Sequence, residues 1–136
     1  MIAARIAPLF FLGIRGLACG VCFCLMAVAG AARDLPRLIC AEPEYWFGAL
    51  SNTNEVPHTF VLANEGVAPL VIYRVQTDCG CTLVRLKDKI IQPGEQTTVQ
   101  VWLALKGRAG NQHKRVTVFS NDPDHPSLTL SLIGEA

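Results

Sequence analysis

The chain has 136 residues, with 12 Lys or Arg against 11 Asp or Glu and 51% hydrophobic residues. That length favours a single domain. A formal net charge of +1 lacks the basic excess that nucleic-acid binding requires, so no nucleic-acid partner is expected.

The first 32 residues differ from the rest. Arg5 and Arg15 are the only charged residues before Arg33, and Gly16 to Ala29 is apolar or small throughout. Ala27-Val28-Ala29 and Ala29-Gly30-Ala31 both fit the small-x-small pattern that precedes signal-peptidase cleavage. Together these predict a hydrophobic N-terminal helix over 1–32 that acts as a secretory signal peptide. The rival reading is an uncleaved membrane anchor. The apolar run after Arg15 is shorter than the ~20 residues of a usual span, but Ile6 to Ile14 is apolar too, so a tilted span also fits. Either reading places the domain in the periplasm or cell envelope, with membrane contact only through a retained leader.

Cleavage would remove Cys19, Cys22 and Cys24 and leave Cys40, Cys79 and Cys81. Disulfides persist outside the cytoplasm, and an odd count leaves at least one thiol unpaired within a monomer. The remaining ten basic and eleven acidic residues give a net charge of about −1.

Residues 33–43, with two prolines, several charges and Cys40, read as a linker. The domain is expected over 44–136, and no long helical period appears in it. Glu44 to Leu50 is aromatic-rich and extended. Trp46 is expected in the core, while an outward aromatic there would mark a partner-binding edge. Ser51 to Glu55 is a turn. Val56 to Asn64 alternates, with Phe60 and Leu62 on one face. Asn64-Glu65-Gly66 is a turn with a glycine available for positive φ. Pro69 to Thr77 is a third strand whose apolar phase slips at Val75, predicting a β-bulge near Tyr73-Arg74.

Cys79-Gly80-Cys81-Thr82 follows, then a short strand over Cys81 to Leu86. Pro93-Gly94 fits the centre of a type II turn. Thr97 to Leu105 puts Val99, Val101 and Leu103 inside. After the turn from Lys106 to Gln112, His113 to Ser120 buries Val116 and Val118. Asn121-Asp122-Pro123-Asp124 is a turn, and Ser127 to Leu132 buries Leu128, Leu130 and Leu132. About seven short strands with turns every 8 to 12 residues predict an all-β fold, a single Ig-like antiparallel β-sandwich.

His58-Thr59-Phe60, Asn64-Glu65-Gly66, Pro69-Leu70-Val71-Ile72, Cys79-Gly80-Cys81-Thr82, Ile91-Gln92-Pro93-Gly94-Glu95 and Ser120-Asn121-Asp122-Pro123 occur in an order and spacing that resembles the bacterial exported domain-of-unknown-function family numbered 1573. That family is similar to the Hydin-type and major-sperm-protein-type Ig-like domains. The resemblance spans roughly Glu44 to Gly134. It implies fold and export but no activity, and Cys40 lies outside its motifs.

The Cys-Gly-Cys element carries the chemistry. In a fully extended strand, residues i and i+2 share a face but hold their Cβ atoms too far apart for a disulfide. A Cys79–Cys81 bond therefore needs a tight turn at Gly80, which glycine favours. The pair can staple the loop. As two thiolates it can hold Cu(I), or Zn(II) with further ligands. It can undergo thiol–disulfide exchange, although neither the Cys-x-x-Cys spacing nor the helix of the thioredoxin-type site is present. Cys40 can pair with either cysteine or between chains. The structural staple is the leading expectation, with no cofactor.

His58 is the best third metal ligand by type, but its parity puts it on the face of Phe60 and Leu62, where a core histidine is the simpler reading. His113 and His125 are expected in solvent. Lys106, Arg108, Lys114 and Arg115 make a basic hairpin end, solvated unless it meets acidic glycans or lipid headgroups. No catalytic constellation emerges: no Gly-x-Ser-x-Gly, no His-Glu-x-x-His and no phosphate-cradling loop. Asp122 and Asp124 lie in a turn and give weak support for acid–base work. The sequence thus suggests an exported non-enzymatic binding or assembly module whose partner is another exported protein docking at a sheet edge. Copper or zinc handling is the alternative.

Overall fold

The structure is a computed structural model in which residues 33–50 and 55–136 are described. The leader expected over 1–32, and most of the turn after Leu50, lie outside the described residues. Among the described residues nine strands are present: β1 (Leu38–Ile39), β2 (Glu44–Ala49), β3 (Glu55–Asn64), β4 (Leu70–Thr77), β5 (Thr82–Leu86), β6 (Ile90–Ile91), β7 (Gln96–Ala104), β8 (Asn111–Ser120) and β9 (Ser127–Glu135). They form two sheets, ordered β1-β3-β7-β5 and β2-β9-β8-β4-β6. All the ladders are antiparallel except β2–β9, which is parallel.

Alternation builds the core. Phe60, Leu62, Val99, Val101 and Leu103 from one sheet meet Leu70, Ile72, Val116, Val118, Leu130 and Leu132 from the other, all with 1% exposure or less. The odd-numbered residues of β3 face outward. Leu128, expected inside, is only half-buried against this core. The phase slip in β4 is a real irregularity: Ile72 pairs with Ser120, but Arg74 pairs with Phe119. The slip leaves Tyr73 without a partner, so Tyr73 and Arg74 are both exposed. Gly94, at φ +79°, sits in a turn closed by Glu95 N–H donating to the Gln92 carbonyl at 3.0 Å, as the Pro93-Gly94 pair predicts.

Residues 33–43, expected as a linker, are laid along the sandwich. Leu38 is buried, and β1 pairs with the end of β3. Glu65 and Val67 N–H groups donate to the carbonyls of Arg37 and Leu35 at 3.0 and 2.9 Å. Gly66 is required by this approach rather than by positive φ. A Cβ there would collide with the Leu35 carbonyl oxygen and lie 2.6 Å from the Arg37 nitrogen.

Asn64 organises the same end of the fold. Its side chain is fully buried, and every group on it is used. Oδ1 accepts from the N–H groups of Arg37 at 3.1 Å and Gly66 at 3.0 Å. Nδ2 donates to the carbonyls of Ala68 at 2.8 Å and Ile91 at 3.0 Å. One amide thus ties the N-terminal strap, the β3–β4 turn and β6 together.

Asn64→Ala would leave two partly buried N–H donors and two carbonyls without partners. Urea unfolding should show a loss of about 3 kcal/mol or more. The exposed Thr59→Ala on the same strand should stay within about 0.5 kcal/mol. Equal effects of the two substitutions would contradict this account of the buried amide.

Candidate functional site

The Cys-Gly-Cys element forms the turn that crosses from β4 in one sheet to β5 in the other. Thr82 N–H donates to the Cys79 carbonyl at 3.3 Å, which closes the turn. Thr77 Oγ1 donates to the same carbonyl at 3.1 Å. Cys81 is anchored by its own carbonyl, which accepts from Ala104 N–H at 2.8 Å. Within this frame Cys79 and Cys81 form a close sulfur pair, with Cα atoms 5.3 Å apart.

Gly80 supplies the turn without a left-handed backbone. Positive φ occurs at Gly48, Gly94, Gly107 and Gly110, but not at Gly80. Nothing lies within 4 Å of where a Cβ at Gly80 would stand. The residue therefore leaves the outer side of the turn open.

The two sulfurs have different surroundings. Cys81 N–H points at Cys79 Sγ at 3.0 Å, and Arg108 Nη2 lies 3.9 Å from the same sulfur. Cys81 Sγ has only Thr82 Oγ1, at 3.8 Å, and its side chain packs against the core. The Arg108 guanidinium is held in place by Nε donating to the Ala104 carbonyl at 3.1 Å.

His58 does not join this pair. The register sets it across Val101 from Val84 of β5, about two strand spacings or 9–10 Å away. It faces inward, stacked on Tyr45 with ring centroids 3.7 Å apart and edge-on to Phe60 at 4.6 Å. Burial lowers its pKa against the opposing pull of Glu42. Its neighbour is the third cysteine: Cys40, Glu42 and His58 line one pocket of about 230 Å³. Burial raises the Cys40 thiol pKa, outweighing the hydrogen bond from the Glu42 backbone. Among the described residues, no three Cys, His, Asp or Glu side chains group as a metal site.

The second candidate surface is the edge strand β2. Trp46, expected in the core, is 68% exposed, and Phe47 takes the core position instead. The reason lies in β9. Gly134 has no side chain where the Phe47 ring packs, so the ring enters there. Alternation then sends Trp46 outward, where the register aligns it with Ile133 of β9 and, beyond that, His113 of β8. Trp46, Gly48, Gln112, His113, Ile133 and Glu135 contribute to a mostly apolar groove of about 610 Å³. Ser131 N–H donates to the Pro43 carbonyl at 2.8 Å. By alternation, the backbone polar groups of Glu44 point to the free side.

The Asn121-Asp122 turn is a structural clamp. Asn121 Oδ1 accepts from Val71 N–H at 2.8 Å, and its Nδ2 donates to the Pro69 carbonyl at 3.2 Å. Asp122 is 1% exposed. Its carboxylate accepts from the N–H groups of Leu38 at 2.9 Å, Asp124 at 2.9 Å and His125 at 3.1 Å. Burial alone would raise its pKa. The three N–H donors, with His125 nearby, outweigh burial and lower it. Turn propensity located Asn64 and Asp122 but gave no sign that their side chains are buried.

Residues 38–136 match the family described as protein of unknown function (DUF1573), and the chain belongs to that family. No curated protein matches the sequence significantly. Among solved structures, the chain resembles a protein of unknown function from Porphyromonas gingivalis W83, at 18% identity and a TM-score of 0.68, over 78% of this chain and 50% of that one. It also resembles the VesB protease of Vibrio cholerae, at 11% identity and TM-score 0.62, over 76% of this chain and 32% of that one. The PapD-like domain 7 of human CEP192 superposes at 9% identity and TM-score 0.60, over 76% of this chain and 87% of that one. At these identities the likeness is one of fold: an Ig-like, PapD-like sandwich. This chain spans half or less of the length of the two bacterial relatives.

The Asp122 clamp has a pH signature. A carboxylate with a depressed folded pKa adds stability above its unfolded value, near 3.8, and loses it as pH falls through the folded value. Asp122→Asn should cost about 2 kcal/mol at pH 7. The difference from wild type should shrink as pH falls below about 4, as read from urea midpoints across pH. A constant gap would contradict the charged clamp.

Proposed function

We propose that this domain is an exported, non-enzymatic binding module that takes an extended segment of another exported protein along the free edge of β2. The observation that carries this reading is Trp46, exposed on an edge strand and aligned over an apolar groove. A large amphipathic ring beside free backbone donors and acceptors suits strand addition. Main-chain hydrogen bonds supply affinity there, and alternate side chains supply specificity.

The charge around the edge narrows the partner. Glu42 and Glu44 lie on or beside β2, and Glu135 lines the groove. A segment carrying apolar residues two apart, with a Lys or Arg beside them, complements that surface. A non-enzymatic reading is supported by the state of Cys40. It has His58 nearby, but burial moves its thiol away from the ionised form that a nucleophile needs. Export is supported by the composition of residues 1–32, whose basic start, apolar run and small-residue end suit a leader.

Extended peptides selected by display against the exported form should show that alternating apolar and basic pattern. Trp46→Ala should weaken their binding about tenfold or more, while Leu83→Ala on the opposite sheet leaves it unchanged. Binding indifferent to Trp46, or no peptide enriched at all, would contradict the β2 edge as the docking site.

A further inference from the structure

We propose that Cys79 and Cys81 are a redox-active pair that exchanges with a client dithiol, with Cys79 as the sulfur that carries the mixed disulfide. The inference is independent of the β2 edge, and the exchange is stoichiometric, one client dithiol per cysteine pair, so it adds to the binding role without making the domain a turnover enzyme.

A structural staple has little to hold at this turn. Asp78 N–H already donates to the Arg115 carbonyl at 3.2 Å. The Cys79 carbonyl accepts from Thr82 N–H and Thr77 Oγ1, and the Cys81 carbonyl accepts from Ala104 N–H. Cross-linking residues two apart closes a very short loop, where chain-entropy stabilisation is smallest. The backbone therefore keeps the turn in shape whether the sulfurs are joined or free.

The difference between the two sulfurs gives each a role. Cys79 Sγ has the Cys81 N–H at 3.0 Å and the Arg108 guanidinium at 3.9 Å, two donors that favour a thiolate. Arg108 is a positioning residue, aimed by its bond to the Ala104 carbonyl. The Ala104 N–H in turn clamps Cys81, so the guanidinium and the turn share one anchor. Asp78 is the nearby acid, and its charge is engaged by Arg115, whose Nε lies 3.6 Å from Oδ2. Lys106, in the same β7–β8 turn as Arg108, adds positive charge. Gly80 leaves the outer side open, while Cys81 packs inward.

The exchange balances as follows. A client thiolate attacks Cys79 Sγ and forms the client–Cys79 bond. The Cys79–Cys81 bond breaks, and its electron pair leaves on Cys81 Sγ, which takes up a proton. The second client thiolate then attacks the client sulfur of the mixed disulfide. Cys79 leaves as a thiolate beside Arg108 and the Cys81 N–H. The client dithiol is oxidised to a disulfide, and the Cys79–Cys81 pair is reduced to a dithiol.

The test equilibrates the exported form with glutathione at defined ratios of thiol to disulfide and maps the products by peptide mass spectrometry. The pair should be reduced by glutathione, with the mixed disulfide on Cys79 in preference to Cys81. Arg108→Ala should shift the equilibrium toward the protein disulfide by about three- to tenfold. Arg108→Lys should recover most of that shift, and unchanged urea midpoints should show both variants folded. A reduced dithiol peptide added to the oxidised protein should be oxidised mole for mole. A pair that stays oxidised in millimolar glutathione overturns the proposal and makes it a staple. Two free thiols that copurify with copper or zinc overturn it in favour of a metal site. Equal labelling of both sulfurs, or an equilibrium indifferent to Arg108, also overturns it.

Discussion

Two buried polar side chains grip consecutive N–H groups of the N-terminal strap, and the edges of this sandwich depend on that grip. Asn64, at the end of β3, accepts from Arg37 N–H. Asp122, just after β8, accepts from Leu38 N–H. The two grips come from opposite sheets, so the strap links them at one end. Burying an amide and a carboxylate is costly unless every polar group finds a partner. Here the partners are backbone groups of the strap, the turns and the short strands β1 and β6. The same bonds therefore satisfy the side chains and fix the turns.

The grip decides which surfaces remain for function. With Leu38 buried and β1 paired to β3, the strap covers that side of the first sheet. The longer edge strands left uncovered are β2 in one sheet and β5 in the other. The β2 edge carries the exposed Trp46. The β4–β5 crossover carries the sulfur pair, in a turn held by hydrogen bonds to the Cys79 and Cys81 carbonyls. The clamp on the strap thus leaves both the β2 edge and the cysteine turn uncovered.

The long strands were legible because their alternation is strong. Val99, Val101 and Leu103 all point inward, and the slip after Ile72 marked its bulge to within a residue. The two-residue strands Leu38–Ile39 and Ile90–Ile91 carry no period, so nothing in the pattern showed them. Prolines and charges give residues 33–43 the composition of a linker, while the fold holds that segment by backbone bonds that composition does not encode. Tyr45-Trp46-Phe47 offered two phases of burial, and the choice rests on Gly134 in a distant strand. The Cys-Gly-Cys motif stands out in the sequence, yet the guanidinium that distinguishes its sulfurs comes from Arg108, far along the chain. His58 went the other way: a plausible third ligand by type, it is stacked on Tyr45 and placed beside Cys40.

Native-state hydrogen exchange tests the central claim of a strap locked between the sheets. The amides of Arg37, Leu38 and Gly66 should exchange only with the global unfolding of the domain, at the level of the core amides of Val101 and Val118, while Gly80 exchanges quickly. Fast exchange at Arg37 and Leu38, with the β7 and β8 amides still protected, would show a frayed strap and contradict the clasp.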